Sequence, residues 1–333
     1  MTSCICVASR DEFMRSGKGR RFRQGRIALL ASIAAMPTMA YAESAPHHPV
    51  DIVVTAQRRE GTIENAPSSS ASVDAARIAE IVNAVNAEDT LKYMPSLFVR
   101  KRHTGDTQAP LATRTNGGGS SARSLIYADG ALLSALIGNN NSTASPKWGL
   151  VSPQEIKRID VLYGPFSAAY PGNSIGAVVN ITTRLPDKLE GTVVAGVGVQ
   201  QFQQYGTDDS LPSYSFGATV GDRVGPVSFF LSANQVTSNS NPLVYVTALP
   251  TTPPAAATPV TGAFADRNRL NAPIQVLGAG GLEHQRQNML KAKVAFDITD
   301  KIQLSYVGGL FLNDTESDVE TYLSSVATGA PVY

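Results

Sequence analysis

The chain has 333 residues, of which 17% are charged and 7% aromatic, with 28 Gly and 20 Pro. Its formal charge of +1 hides a split: residues 1–42 carry seven Lys/Arg against Asp11 and Glu12, leaving 21 basic against 25 acidic residues for 43–333, a net of −4. No phosphate-neutralising excess survives outside the first stretch, which excludes a basic nucleic-acid binder. A hydrophobic share of 43% is enough for folded cores. Both cysteines, Cys4 and Cys6, lie at the very start, so disulfide frameworks and thiolate metal sites are excluded from the rest.

Residues 1–42 read as an export signal. A basic region through Arg20, Arg21, Arg23 and Arg26 precedes the apolar run 27–35, and Ala40-Tyr41-Ala42 forms a small-x-small cleavage pattern before Glu43. The apolar run is far shorter than the roughly 20 residues that span a bilayer. No other stretch is apolar for 18 residues, so an exported product would be either soluble or a strand-built barrel. An extended run, Asp51-Ile52-Val53-Val54-Thr55-Ala56, follows, and then a Pro/Ser-rich linker, Ala66-Pro67-Ser68-Ser69-Ser70.

Residues 61–187 read as a small α+β globule. Asp74 is placed to cap a helix reaching about Asn83, with Ile78, Ile81 and Val82 on one face. A second short helix, Ala87–Tyr93, must end before Pro95. Strands are expected at Leu97–Lys101, Ser124–Ala128, Ile156–Leu162 and Ala177–Thr183.

From Gly191 onward the pattern changes to period two. Val193, Ala195, Val197 and Val199 share a face, as do Tyr214, Phe216, Ala218 and Val220, then Val227, Phe229, Leu231 and Ala233. Leu290, Ala292, Val294, Phe296 and Ile298 form a fourth row, and Ile302, Leu304, Tyr306, Gly308, Leu310 and Leu312 a fifth. Runs of about 9–11 residues suit tilted transmembrane strands. Turns at 221–226 and 297–301 are short, whereas about Val236 to Gln285 reads as a long Pro/Thr/Ala/Gly/Asn-rich loop. Short turns on one side and long loops on the other favour a membrane barrel over the competing soluble β-sandwich.

Four motifs, in order, carry a family resemblance. Asp51–Ala56 is similar to a TonB box; Glu88-Asp89-Thr90-Leu91-Lys92-Tyr93-Met94-Pro95-Ser96-Leu97 resembles "EDALRYVPGV"; Ile126-Tyr127-Ala128-Asp129-Gly130 resembles a "YVDG" hairpin. Gln154 to Pro165, with Ser167–Tyr170 and Ile175–Ile181, follows "IERIEVLRGPxSALYGxxAxGGVINI" nearly end to end. The chain thus resembles the N-terminal portion of TonB-dependent outer-membrane receptors of the siderophore-receptor kind, strongly over 51–187 and by pattern alone over 191–333.

The resemblance implies an α+β plug domain followed by the first five or so antiparallel strands of an incomplete transmembrane β-barrel, about 22 strands when complete. Its layout would be a signal peptide (1–42), the TonB box and linker (43–70), the plug (71–187) and a partial barrel (188–333). It implies energy-coupled uptake of a scarce ligand across the bacterial outer membrane, foremost a ferric siderophore, with cobalamin, oligosaccharide or another metal chelate as alternatives. TonB, acting with ExbB/ExbD in the periplasm, would pair with the box at 51–56 by strand addition, and the other partners would be the small-molecule metal chelate and outer-membrane lipid. A passive porin-like channel and a truncated non-transporting fragment are the competing readings; downstream reading frame separates the last.

Ligand contacts are expected at a plug apex after Asp129 and Gly130, from Asn139, Asn140, Asn141, Lys147 and Trp148. Gly164, Pro165, Gly176 and Asn180 carry the remaining plug motif. Gly117-Gly118-Gly119 lacks the strand and helix of a phosphate cradle. The four histidines lack metal-ligand spacing, and no catalytic arrangement has a supporting motif, so neither a metal site nor a cofactor nor an enzyme is expected. Tyr163 stands where the family usually has Arg, and Pro171 where it usually has Gly, so plug–barrel coupling is expected to use different contacts.

Overall fold

The computed structural model describes residues 4–11, 69–115, 117, 122–136, 145–164, 170–250 and 259–333. The box at 51–56 and the greater part of the predicted leader lie outside these residues.

The strands in chain order are β1 (Cys4–Asp11), β2 (Ser70–Asp74), β3 (Leu97–Val99), β4 (Leu111–Thr113), β5 (Leu125–Ala128), β6 (Ala131–Leu132), β7 (Ile156–Tyr163) and β8 (Ala177–Thr183). Then come β9 (Glu190–Gln204), β10 (Thr207–Val224), β11 (Val227–Asn239), β12 (Val244–Ala248), β13 (Val260–Thr261), β14 (Phe264–Arg267), β15 (Pro273–Thr299), β16 (Ile302–Thr321) and β17 (Ser324–Ser325). Among the described residues the α-helix α1 (Ala75–Ile81) follows β2, and 3-10 turns cover Ala87–Leu91, Trp148–Leu150 and Pro153–Glu155.

The first half is the expected α+β globule. Asp74 caps α1, its carboxylate accepting the Arg77 N–H at 2.8 Å. The expected second helix is a single 3-10 stretch, Ala87–Leu91, held by Asp89 accepting the Asn86 N–H at 2.9 Å. A five-stranded sheet runs β2-β7-β8-β5-β6, with β5 and β8 parallel and the other pairs antiparallel. Two of its strands, β2 and β6, carry no pattern long enough to be seen in sequence. Ile78, Leu91, Leu111, Ile126, Ile159, Val161, Val179 and Ile181 belong to one buried cluster, which lies wholly in this globule.

The second half is a wall. β9, β10, β11, β15 and β16 are joined in sequence by antiparallel pairing, each containing one of the five expected runs. They are longer than expected, from 13 to 27 residues. At about 3.3 Å per residue the 18-residue β10 is about 60 Å long, well beyond a hydrocarbon core of about 30 Å. The segment read as one long loop is partly sheet: β12 and β14 both pair with the start of β15, which bends at Gly281 (φ 67) where the register slips. Strand extensions beyond a bilayer have no apolar face to maintain, so alternation fades there while the hydrogen-bond ladder continues. On the outer edge of β16, β1 runs parallel to it.

The facing of the wall decides its class. Val193, Val197, Phe216, Val220, Leu231, Leu290, Phe296, Leu304 and Tyr306 are exposed, whereas Ser213, Thr219, Ser228, Ser232, Gln285 and Gln287 are buried. A soluble sandwich would bury the apolar rows against a second sheet. Here they face outward, and the polar rows face the globule, the alternation of a membrane barrel. Among the described residues no helix is long and apolar enough to cross a membrane.

Candidate functional site: the plug–wall boundary

The inward row of β15 meets the globule at successive positions, residues two apart and about 6.7 Å from one another. At its lower end, Lys293 Nζ lies 3.0 Å from Asp129 Oδ2 and donates to Thr183 Oγ1 at 3.1 Å. One step higher, Lys291 Nζ lies 3.1 Å from Glu155 Oε1 and donates to the Leu150 carbonyl at 3.3 Å. Gln287 accepts from Asn86 Nδ2 at 3.3 Å and donates to the Gly105 carbonyl. Higher still, Glu283 faces the buried His103 ring at 3.6 Å.

Local sequence explains how the globule presents its two acids. Asp129 (φ 46) and Gly130 (φ 84) are the two left-handed residues of the tight turn joining β5 to β6, the Asp-Gly pairing that such turns favour. The turn directs the Asp129 carboxylate to the end of β8, where it accepts the Thr183 N–H at 2.9 Å and the Thr183 hydroxyl. Glu155 closes a capping box: its carboxylate accepts the Ser152 N–H at 2.8 Å. Burial drives the Asp129 carboxyl upward, but the Lys293 ammonium and the Thr183 hydrogen bonds outweigh it and hold it below the ordinary range. Glu155 is almost wholly buried; desolvation pushes its carboxyl up, with Lys291 opposing.

A third ionic group supports the upper contact from within the globule. Lys101 Nζ lies 3.2 Å from Glu88 and 2.9 Å from Asp89, and donates to Asn86 Oδ1 at 3.1 Å. Asn86 is thereby oriented toward Gln287. Burial raises the Glu88 carboxyl to about 7, Lys101 offsetting part of the effect and Asp89 adding to it. Asp106 is held low instead, because two bonds from Arg102 outweigh its burial.

The expected site residues separate. Asp129 and Gly130 form the boundary turn just described. Gly176 is tightly enclosed: a Cβ there would lie 2.5 Å from Ser124 Oγ, and its N–H donates to the Arg123 carbonyl at 2.9 Å. Gly164 donates to the Gly176 carbonyl at 3.3 Å, and Asn180 lies on β8 opposite Asp160. Tyr163 is half-buried at the end of β7; burial pushes its hydroxyl up to about 12. Lys147 is exposed at the edge of the apex segment. Trp148 is buried, its indole N–H donating to the Ala109 carbonyl at 2.8 Å, so its ring serves the globule's core. Asn139, Asn140, Asn141 and Pro165 lie outside the described residues.

Lys291, Lys293, Gln287 and Ser232 were not expected as site residues. The available signal was the pair of lysines at consecutive inward positions of one strand: a buried cation facing a plug demands an acid there.

A mixed globule seated on the polar face of an antiparallel wall, with the apolar face turned outward, is the arrangement of a plug lying against barrel-type strands. Residues 62–178 match the family model described as TonB-dependent Receptor Plug Domain. Over those residues the chain is similar to the plug domain of TonB-dependent receptors. The Vitamin B12 transporter BtuB of Vibrio vulnificus is 30% identical over 158 residues, which is 47% of this chain and 23% of that protein. The iron-regulated outer membrane virulence protein of Vibrio cholerae is 31% identical over 201 residues, 59% of this chain and 30% of that one. A mutant of the ferric enterobactin receptor (PfeA) from Pseudomonas aeruginosa superposes with a TM-score of 0.50 at 17% identity, covering 72% of this chain and 32% of that structure, a likeness of fold alone. The matched part of this chain thus spans less than a third of each relative's length.

Proposed function

We propose that this chain is the plug and opening wall strands of a TonB-dependent receptor for energy-coupled uptake of a scarce metal chelate, foremost a ferric siderophore, across the bacterial outer membrane. The wall would be part of a barrel of about 22 strands. The observation that carries the reading is the boundary itself: charged plug groups meet inward lysines of β15 while the outer rows of the same strands are apolar and exposed. A plug held by a few ionic contacts on a polar wall can be displaced without exposing a hydrophobic core to the lumen. A passive channel would have no use for such a plug.

Asp51–Ala56 is the proposed TonB-pairing strand, and the apex around Asn139–Asn141 and Lys147 the proposed ligand-contacting surface. The relatives named as an iron-regulated outer membrane virulence protein and as a ferric enterobactin receptor favour an iron chelate, and the vitamin B12 transporter keeps cobalamin as the second reading. The test is uptake by iron-limited cells, with radioactive ferric enterobactin and labelled cyanocobalamin as the two probes. Val53→Pro or Val54→Pro should abolish uptake and leave probe binding intact, since proline cannot donate to an added strand. Undiminished uptake would refute the box assignment.

A further inference from the structure

The segment from Trp148 to Glu155 contains two consecutive 3-10 turns and touches four successive wall strands. Gly149 lies against the ring of Phe311 on β16, leaving no room for a Cβ. The Leu150 carbonyl and Glu155 carboxylate both take Lys291 on β15. Ser152 Oγ is 3.0 Å from Ser232 Oγ on β11. The Gln154 carboxamide packs on Gly217 of β10, where a Cβ would come within 2.8 Å of it. These wall residues sit at one height: Lys291 pairs with both Ser232 and Gly309, Ser232 pairs with Thr219, and Phe311 and Gly217 are each one inward step above that row.

The dimensions agree. Four strands about 4.8 Å apart span about 14 Å. The five steps from Gly149 to Gln154, partly 3-10, cover about 10–17 Å. The segment therefore crosses the strands as a strap, and Trp148, Val151, Ser152 and Glu155 within it are all buried.

The plug's first described elements are attached differently. Among the described residues β2 is an edge strand paired only with β7, over five residues. Of α1 only Ile78 is buried, and a cavity of about 560 Å³ separates that helix from β9 and β10, lined by Ala75, Ala79, Gly196 and Ser215 among others.

We propose that Trp148–Glu155 is a stationary clamp, which keeps this part of the plug on the wall while other parts are displaced during transport. This rests on the uptake reading above, and the experiment separates the two. Ser152→Cys with Ser232→Cys places two thiols where the hydroxyls now touch, and the only native cysteines are Cys4 and Cys6. Oxidation joins the two sulfurs with loss of two electrons and two protons to an added oxidant such as copper phenanthroline. The cross-linked protein should take up ferric enterobactin at the rate of its reduced form. A block under oxidation that a reductant relieves would overturn the clamp.

The second arm uses the unaltered protein and needs no transport. Amide hydrogen exchange should be at least about 100-fold slower over 148–155 than over 70–81. Equal rates overturn the clamp even if uptake is normal. Absence of uptake of both probes by the unaltered protein counts against the transport reading, and the exchange ratio still decides the clamp.

Discussion

Asp129 and Lys293 are 164 residues apart in sequence and meet at 3.0 Å across the plug–wall boundary, with Thr183 bonded to both. Asp129 occupies a left-handed turn position, which Asn also tolerates. Asp129→Asn should therefore keep the hairpin and lose the ion pair, lowering the urea resistance of the docked plug by about 1–2 kcal/mol. An unchanged unfolding midpoint would show the pair to be without consequence.

Lys291 presents a sharper case, because its partner is buried. Lys291→Met leaves Glu155 without a counter-charge and should cost about 3–5 kcal/mol. Lys291→Met combined with Glu155→Gln should recover much of that loss. A double-mutant cycle on plug unfolding gives the coupling directly, and strict additivity of the two changes would contradict the pairing.

Two kinds of carboxylate give the plug opposite responses to pH. Glu88 has its folded value raised, from 4.5 to about 7, so its contribution to stability is complete below pH 4.5 and is lost as pH rises through about 7. Asp106 and Asp129 are held low, so their contributions are present above about 3.8 and are lost on further acidification. Thermal melting of Glu88→Gln should show a flatter dependence between pH 4.5 and 7 than the unaltered protein. An identical slope in both would remove Glu88 as its source.

Gly149 is pressed on Phe311 so closely that any side chain must move one or the other. Gly149→Ala should destabilise the docked plug by about 1–3 kcal/mol. Adding Phe311→Ala should restore part of the loss by opening the space. Protease sensitivity of the 145–155 segment reports the change, and no rescue by the second substitution would argue against this contact.

Trp148 offers a choice between packing and ligand contact. Trp148→Phe removes the bond to the Ala109 carbonyl and should lower plug stability by about 1–2 kcal/mol, with binding of whichever uptake probe the unaltered protein takes left unchanged. A loss of binding at unchanged stability would restore the ring to the ligand surface.

Several features of this protein were legible in the chain alone. Asp74 before an apolar-faced segment announces a capped helix, Asp129-Gly130 announces a tight turn, and five period-two rows announce five strands, because each depends on contacts between near neighbours. Motif order was enough to place the plug. Alternation says that Leu290 and Lys291 face opposite ways, but not which of them meets another part of the protein. Only the tertiary structure turned the lysine row onto the plug, brought Glu155 to Lys291 and Asp129 to Lys293, and drew Trp148 into the core instead of leaving it at the apex. The reason is physical: a strand's period sets which residues share a face, whereas the plug on one side and the exposed apolar band on the other decide what that face is for, and those contacts join residues far apart in the sequence.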